Sequence, residues 1–352
     1  MNNETKLLIE KLNLTSTLDT DEYEYLIKNR DDEAVELLRK YAVKKRQKIY
    51  GNKVFVRGLI EISNICKSDC FYCGIRKSNK NCQRYRLTKD EILLCCQEGY
   101  DLGFRTFVLQ GGEDGYFTDD ILCDIVCSIR RMYPDCAITL SLGERSKESY
   151  QKLFDSGANR YLLRHETSDS VHYSMLHPEE QTLQNRMRCL NDLKEIGFQT
   201  GCGFMVNSPY QKTEHLAQDL KFIEIFSPEM CGIGPFIPHK DTDFKDFEAG
   251  DIDLCCYLLS IIRLIKPNIL LPATTALSTI NKDGRQRGIL SGANVIMPNL
   301  SPVSVRQKYE LYNGKAVTNE ESAQGLILLK KSMQDIGYEV VIDRGDINNH
   351  KE

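Results

Sequence analysis

Hydrophobic residues follow two alternating patterns from residue 54 onward. Short runs of apolar, often β-branched residues predict strands, and longer windows with apolar positions three and four residues apart predict the helices between them. The predicted strands are 54–63, 106–110, 137–142, 160–164, 199–206, 230–235, 269–273 and 293–297. The predicted helices are 89–103, 119–133, 147–157, 183–197, 213–226, 252–266 and 278–291.

Apolar strands that alternate with helices are typical of a parallel sheet whose faces are covered by the helices. Eight such units predict an α/β fold of the (β/α)8 TIM-barrel type, and an open doubly wound sheet is the alternative. We expect the barrel at residues 52–305, an N-terminal helical extension at 1–51 and a C-terminal cap at 306–352. In such a barrel, the reactive groups lie on the loops that follow the carboxyl ends of the strands.

Composition and charge exclude several classes of function. The 352 residues carry 46 basic and 50 acidic side chains, a formal net charge of −4, which argues against binding to nucleic acid through phosphate neutralisation. No apolar run approaches the roughly 18 residues that a membrane helix needs. The polar start of the chain does not have the pattern of a secretory signal. We therefore expect a cytoplasmic protein with neither nucleic acid nor membrane as a partner.

Three of the fourteen cysteines share the loop that follows the first predicted strand. Cys66, Cys70 and Cys73 are spaced C-x3-C-x2-C, and thiolates that converge on one loop select zinc or an iron–sulfur cluster. A structural zinc ion would need a fourth ligand, for which only Cys82 is close in sequence. An iron–sulfur cluster held by three thiolates leaves one iron open, as a catalytic cluster requires. The remaining alternative is a chance grouping of three buried thiols.

The triplet, with Tyr72 directly before its third cysteine, resembles the radical S-adenosylmethionine (radical SAM) superfamily. By this resemblance, the three cysteines hold one 4Fe-4S cluster whose fourth iron is chelated by S-adenosylmethionine. An electron from the cluster would cleave that cofactor to methionine and a 5′-deoxyadenosyl radical, and a reduced ferredoxin or flavodoxin would donate the electron.

Several longer strings resemble a particular family, the HydE maturases of FeFe-hydrogenase. These strings are residues 108–114, 161–167, 232–239, 272–276 and 292–299. The resemblance implies a radical SAM enzyme that acts in maturation of the diiron subcluster of the hydrogenase H-cluster. Its small-molecule or organometallic substrate would be a cysteine-bound iron complex with carbon monoxide and cyanide, and its partners would be the other maturases.

The same resemblance assigns cofactor-binding residues at several strand ends. Paired glycines allow close approach to the backbone, and the carboxylate after them can receive an ammonium group, here that of the methionine moiety. Arg186 would bind the cofactor carboxylate and Glu166 would contact S-adenosylmethionine, while the wall after the sixth strand would lie near the adenine. The complete predicted set is Tyr72, Gly111, Gly112, Glu113, Glu166, Arg186, Ile233 and Pro235.

A second set of residues is assigned to the substrate side of the barrel. Arg164 alternates with His165 along the fourth strand, so Arg164 and Glu166 should project to the same side, and His165 is expected to be a packed structural residue. Thr274 and Thr275 are neutral hydroxyl donors for an anionic substrate, with helix N-capping as the alternative. The predicted catalytic set is Gln110, Arg164, Thr274, Thr275 and Tyr312.

The sequence also departs from the family pattern and leaves other chemistries open. Residues 257–352 contain no cysteine, so the second cluster that some members carry is not expected. The turn at 207–211 reads Asn-Ser-Pro-Tyr-Gln where a glycine-containing turn is typical. The alternatives are a methylornithine-synthase-like or biotin-synthase-like radical SAM enzyme, and a non-catalytic iron–sulfur scaffold.

Overall fold

The computed structural model describes residues 1–315 and 325–348 of the chain. Its centre is a (β/α)8 barrel of parallel strands, which confirms the predicted fold class. The strands in the described residues are β1 Lys53–Val56, β2 Gly58–Ser63, β3 Thr106–Gly111, β4 Ala137–Ser141, β5 Arg160–Leu162, β6 Gln199–Cys202, β7 Met205–Val206, β8 Met230–Cys231, β9 Gly234–Pro235, β10 Val295–Ile296 and β11 Glu339–Val341.

On the sides where the barrel closes, after β8, the strands pair over only one or two residues. Six strands form one continuous parallel sheet in the order β2-β3-β4-β5-β6-β8. At the predicted seventh strand, the structure has single bridges at Leu270 and Pro272. On the next side of the barrel, β10 pairs with β1. A bridge from Leu59 to Asn299 completes the circle. The pattern therefore predicted the position of every barrel strand, although the strands on the closing sides are shorter than expected.

Helices cover the outside of the barrel. They are α1 Asn3–Thr15, α2 Thr20–Lys28, α3 Asp32–Tyr50, α4 Lys89–Asp101, α5 Asp119–Met132, α6 Lys147–Asp155, α7 Ser170–Leu176, α8 Leu183–Ile196, α9 Thr213–Phe226, α10 Ile252–Ile265, α11 Thr275–Ile280, α12 Gly284–Leu290, α13 Val303–Arg306 and α14 Leu326–Asp335. The single helix predicted over 278–291 is wrong. The side chain of Asn281 accepts a hydrogen bond from the Asp283 N–H at 2.9 Å, and this turn separates α11 from α12.

The first three helices pack on the side of the barrel. Asn2 and Asp31 cap α1 and α3 by accepting hydrogen bonds from backbone N–H groups three residues on. Apolar residues at helical spacing, among them Ile9 and Leu12, are fully buried. The Tyr257 hydroxyl on α10 donates to the carbonyl of Leu26 at 3.1 Å, which fixes this extension to the barrel. No helix among the described residues is long and apolar enough to cross a membrane.

Segments after the last barrel strand close both ends of the barrel. At the amino end, the fully buried Arg160 donates to the carbonyls of Arg344 and Gly345, at 3.0 and 3.1 Å, and forms an ion pair with Asp346. At the carboxyl end, the carbonyl of Leu311 accepts a hydrogen bond from the Gly74 N–H at 2.8 Å. The segment predicted as a cap, residues 306–352, therefore contributes to both ends of the barrel. Its residues 316–324 and 349–352 lie outside the described part of the chain.

Candidate active site

The loop after β2 places the three predicted thiols together at the carboxyl end of the barrel. Burial raises the pKa of Cys70 to about 12 and raises the pKa of Cys73 well above its usual value, and the neighbouring thiols of the triplet add to both shifts. In the described residues, no three His, Cys, Asp or Glu side chains are arranged to hold a single metal ion. The thiols are thus close enough to influence each other electrostatically.

Ion pairs and backbone hydrogen bonds fix the shape of this loop. The Asp69 carboxylate accepts from Arg76 Nε and from the Ser78 N–H, each at 2.9 Å, and the bond from Arg76 holds the pKa of Asp69 well below its usual value. The other end of the Arg76 guanidinium binds Asp243. Arg84 donates to the backbone carbonyl of Asn64 at 2.6 Å. The cysteine loop is therefore held by side chains from its own second half and from the loop after the sixth strand.

The glycine-rich end of β3 lies directly against the cysteine loop. A Cβ atom on Gly112 would collide with the carbonyl of Ile65 and lie 2.9 Å from the Cβ of Cys66. The next N–H, that of Glu113, donates to Cys66 Sγ at 3.4 Å. The glycine requirement at position 112 is therefore explained by packing of one protein segment on another, a cause that the sequence pattern did not indicate.

The Glu113 carboxylate is oriented by neighbours on both sides. Its Oε1 accepts a hydrogen bond from the Glu144 N–H at 3.0 Å, and its Oε2 lies 3.3 Å from the ammonium of Lys67, an exposed side chain. A side chain on Gly143, which has φ +75°, would collide with this carboxylate. The Glu113 carboxylate thus lies within reach of an ammonium group, here that of Lys67.

Glu144 and Arg186 form a buried ion pair beside the cysteine loop. Arg186 Nε donates to Glu144 Oε1 at 2.6 Å, and Nη1 donates to the backbone carbonyl of Arg164. Although burial opposes the charge, the neighbouring Tyr173 and Glu144 raise the pKa of Arg186. Sequence reasoning assigned Arg186 but missed Glu144, which lies directly after Gly143 on the loop that follows β4. The position of an acidic residue at a strand end was the signal that could have identified it.

Arg164 and Glu166 lie on the same side, as the sequence predicts, although both follow the end of β5 at Leu162. Arg164 Nη2 and Glu166 Oε2 lie 2.9 Å apart, but both atoms lack a hydrogen-bond partner of correct geometry within the described residues. Glu166 adopts φ +67°, a left-handed conformation that is unfavourable for a residue other than glycine. The two groups form an ion pair whose geometry satisfies no hydrogen bond, so both atoms remain available to a polar ligand.

His165 faces away from the barrel interior, which confirms the expectation of a structural histidine. It is fully buried, its Nδ1 accepts from the Gly203 N–H at 3.3 Å, and its Nε2 lies 3.3 Å from Asp219 Oδ1. Asp219 Oδ1 also accepts from the Ser168 N–H at 2.6 Å. These bonds fix the backbone on both sides of Glu166 and thereby maintain its unusual conformation.

Two aromatic residues and a histidine connect the cysteine loop to α7. His177 Nδ1 lies 2.9 Å from the carbonyl of Tyr173, which can only accept, so Nδ1 carries the proton and Nε2 accepts from the Tyr72 hydroxyl at 3.2 Å. Burial lowers the pKa of His177 to about 3, so the ring is neutral. Tyr72 therefore lies on the cysteine loop with its hydroxyl engaged by His177. Sequence reasoning missed His177 and Tyr173 because α7 has no distinct periodicity.

The predicted substrate-side residues lie at the ends of several strands. Gln110 Nε2 donates to the hydroxyl of Tyr309 at 3.4 Å, a buried tyrosine that sequence reasoning overlooked in favour of the half-buried Tyr312. The Thr274 hydroxyl donates to the carbonyl of Ile233 at 3.3 Å, and Thr275 is the first residue of α11. Thr274 precedes α11 without a side-chain cap hydrogen bond, so the N-capping interpretation is wrong for its side chain.

The wall after the sixth strand is built from backbone and apolar side chains. Ile233 is fully buried, and Pro235 pairs with Val206 where β9 runs beside β7. The neighbouring turn, where a glycine was expected, keeps left-handed backbone at Asn207 (φ +57°) and Tyr210 (φ +65°). The Asn207 side chain accepts from the N–H of Asp251 at 3.0 Å, which supports this conformation without glycine.

Comparisons with known proteins agree with this geometry. The sequence profile of the radical SAM superfamily matches residues 60–223. The chain is 43% identical over 302 residues to the [FeFe] hydrogenase maturase subunit HydE of Thermotoga maritima, with 86% of each chain covered. It is 28% identical over 281 residues to a 3-methylornithine synthase of Methanosarcina acetivorans, with 79% of each covered. A crystal structure of methylornithine synthase superposes with a TM-score of 0.82 at 24% identity, over 95% of this chain and 97% of that one.

A parallel barrel with three thiols on its first loop, matched by this profile, defines an enzyme of the radical SAM class. At 43% identity over 86% of its length, the chain belongs to the family of the hydrogenase maturase subunit HydE.

The radical SAM family implies a 4Fe-4S cluster and S-adenosylmethionine, and the residues present fit both. Three half-buried cysteines on one loop supply the soft thiolate ligands that such a cluster needs. The unsatisfied oxygen of Glu166 and the unsatisfied nitrogens of Arg164 lie at the same end of the barrel and supply hydrogen-bonding groups for a polar, zwitterionic ligand.

Proposed function

We propose that this chain reductively cleaves S-adenosylmethionine and acts in maturation of the FeFe-hydrogenase H-cluster. The observation that carries the proposal is the meeting of the cysteine loop with Glu113, Glu166 and Arg186 at one end of the barrel. The identity to the HydE subunit of Thermotoga maritima supports the choice of a maturase. The substrate would be a cysteine-bound iron complex carrying carbon monoxide and cyanide, made by a partner maturase.

Cys66, Cys70 and Cys73 would hold the cluster, and the backbone at Gly111 and Gly112 would form the adjacent wall. When bound, the cluster and S-adenosylmethionine supply one electron and a 5′-deoxyadenosyl radical. The Glu113 N–H already donates to Cys66 Sγ, and such bonds stabilise a thiolate. Burial, with a smaller contribution from the neighbouring thiols, raises the pKa of Cys73, so its thiolate would be stabilised by binding to a cationic centre.

The side chains around the loop would bind and orient the cofactor. Arg186 is fixed by Glu144, so its planar guanidinium is pre-organised to hold a carboxylate. Glu113 would receive the ammonium group, and Glu166 would accept hydrogen bonds through its unsatisfied Oε2. Tyr72 would lie beside the cluster, and Ile233 and Pro235 would form an apolar wall for the adenine.

The barrel interior would hold the substrate and exclude water. Gln110, Arg164, Thr274, Thr275 and Tyr312 would line the substrate side with hydroxyl, amide and guanidinium donors, which suit an anionic complex. Arg160 and the tail around Asp346 close the amino end, and the segment at Leu311 covers the carboxyl end. A closed interior protects a reactive carbon radical from side reactions. A reduced ferredoxin or flavodoxin would deliver the electron near the cysteine loop.

The first experiment tests cofactor cleavage. We expect the anaerobically reconstituted protein to form 5′-deoxyadenosine with dithionite and S-adenosylmethionine, and the Cys70→Ala variant to form none. Cys127→Ala is the matched control, because Cys127 is exposed on α5 away from the site. An intact cluster without 5′-deoxyadenosine would favour a non-catalytic scaffold, and zinc in place of iron would contradict the proposal.

The second experiment tests the biological reaction. We expect the protein, with the other maturases, to restore activity to apo-hydrogenase, and Cys70→Ala to fail. Formation of methylornithine from lysine, or sulfur insertion of the biotin-synthase kind, together with no hydrogenase maturation would assign the chain to a different radical SAM reaction.

A further inference from the structure

Tyr173 is a buried tyrosine whose hydroxyl has no hydrogen-bond partner within the described residues. It is 1% exposed and lies on α7, which follows the strand end that carries Glu166. A buried hydroxyl group without a partner is costly, so native structures rarely keep one unless a ligand or water completes it. No sequence motif and no part of the family resemblance assigns a role to this residue.

Contacts on both faces fix the ring of Tyr173. Its ring stacks on that of His177, with centroids 3.9 Å apart and planes inclined by 16°. The guanidinium carbon of Arg186 lies 6.0 Å from the centre of the ring. His177 is in turn bonded to Tyr72 on the cysteine loop. The hydroxyl is therefore held in one place relative to both Arg186 and the cluster loop.

The charged groups around the hydroxyl are those of the proposed cofactor site. Arg186, Glu144, Cys70 and Glu166 all act electrostatically on Tyr173, and burial keeps the pKa of the phenol above its usual value, so the group is protonated and can donate. The two oxygens of Glu144 are already engaged by Arg186 Nε and Asn185 Nδ2, each at 2.6 Å. The acceptor that Tyr173 lacks must therefore come from another molecule or from a rearranged neighbour.

We propose that Tyr173 is a further cofactor-binding residue, whose hydroxyl donates a hydrogen bond to the carboxylate of S-adenosylmethionine beside Arg186. This inference rests on the proposed function, because it assumes that Arg186 holds that carboxylate. A tyrosine hydroxyl adds a second, neutral donor to the guanidinium without another charge in a buried site. The alternative acceptor for the Tyr173 hydroxyl is the Cys70 sulfur, and the experiment distinguishes it from the cofactor carboxylate.

The test uses Tyr173→Phe in the cluster-loaded protein, with Tyr257→Phe as the matched control. Tyr257 is equally buried, but its hydroxyl donates to the carbonyl of Leu26, far from the site. S-adenosylmethionine is titrated calorimetrically into the oxidised protein, where no turnover occurs. We expect Tyr173→Phe to raise the Kd about tenfold, the effect of one hydrogen bond to a charged acceptor, and Tyr257→Phe to leave it unchanged.

Thermal unfolding without S-adenosylmethionine supplies the second readout. Loss of a hydroxyl that has no protein partner should leave the Tm of Tyr173→Phe unchanged or raised, whereas Tyr257→Phe should lower the Tm. An unchanged Kd for Tyr173→Phe would overturn the inference. So would a shifted cluster midpoint potential without S-adenosylmethionine, because Cys70 would then be the acceptor. Wild-type protein that loads a cluster but does not bind S-adenosylmethionine would instead refute the proposed function itself.

Discussion

Lys315 and Glu61 form an ion pair inside the barrel although they lie 254 positions apart in the sequence. Glu61 is fully buried on β2, and its second oxygen accepts from Asn299 Nδ2 at 2.9 Å. Lys315 also donates to the carbonyl of Tyr309 at 3.0 Å. The pair thus joins the segment that covers the carboxyl end of the barrel to a strand of its interior.

Lys315→Met should destabilise the protein strongly. It leaves the Glu61 carboxylate buried without its cation, and such a loss costs about 3 to 5 kcal/mol in the free energy of unfolding. Chemical denaturation measures the change. The double variant Glu61→Gln/Lys315→Met should recover most of the loss, because no unpaired charge remains. Equal stability of Lys315→Met and the wild type would show that the ion pair does not fasten this segment.

Gly143→Ala should weaken cofactor binding, whereas Gly115→Ala should not. A Cβ on Gly143 would collide with the Glu113 carboxylate, and the φ of +75° adds backbone strain of about 1 to 2 kcal/mol. A Cβ on Gly115, two residues after Glu113, would meet nothing within 4 Å. The measurements are the Kd for S-adenosylmethionine and the Tm of each variant. Wild-type affinity in Gly143→Ala would show that the position of Glu113 is not critical.

His177 should make the protein less stable as the pH falls below 6.5. In the unfolded chain the imidazole binds a proton below pH 6.5, but burial lowers its pKa to about 3 in the folded protein. Protons therefore favour unfolding between these two values, and the stability present above pH 6.5 is lost at about 1.4 kcal/mol per pH unit. The non-titrating variant His177→Gln should escape this loss.

The comparison of the two proteins isolates the histidine from other titrating groups. Between pH 7 and pH 5, the free energy of unfolding of the wild type should fall by about 2 kcal/mol more than that of His177→Gln. Denaturation at the two pH values gives this difference directly. Parallel pH dependence in both proteins would mean that His177 is protonated equally in the folded and unfolded chains.

The sequence predicted those features of the site that depend on local spacing. The C-x3-C-x2-C loop after the first strand lies at the carboxyl end of the barrel, as eight strand-and-helix units require. Arg164 and Glu166 lie on the same side, as predicted, and their charged atoms are 2.9 Å apart, although β5 ends at Leu162 and Glu166 has a left-handed backbone. His165, which was expected to be a packed structural residue, is fully buried beside Asp219.

Features that depend on distant parts of the chain could not be predicted. Tyr173 acquires its importance from Arg186, which lies on a different helix. Tyr309 reaches Gln110 across 199 residues, and no local pattern distinguishes it from Tyr312. Such contacts depend on how the barrel closes, so the spacing of residues along the chain does not indicate them.

The left-handed backbone at Glu166 leads to a prediction in which two variants lose cofactor affinity alike but differ in stability. Glu166 has φ +67°, and its unsatisfied Oε2 is buried. Glu166→Gly and Glu166→Ala both remove the carboxylate, so both should lose affinity for S-adenosylmethionine. Only glycine relieves the left-handed backbone, so the glycine variant should be more stable than the alanine variant by about 1 kcal/mol. Denaturation of the two variants checks this difference, and an alanine variant as stable as the glycine variant would show that the backbone relaxes once the carboxylate is gone.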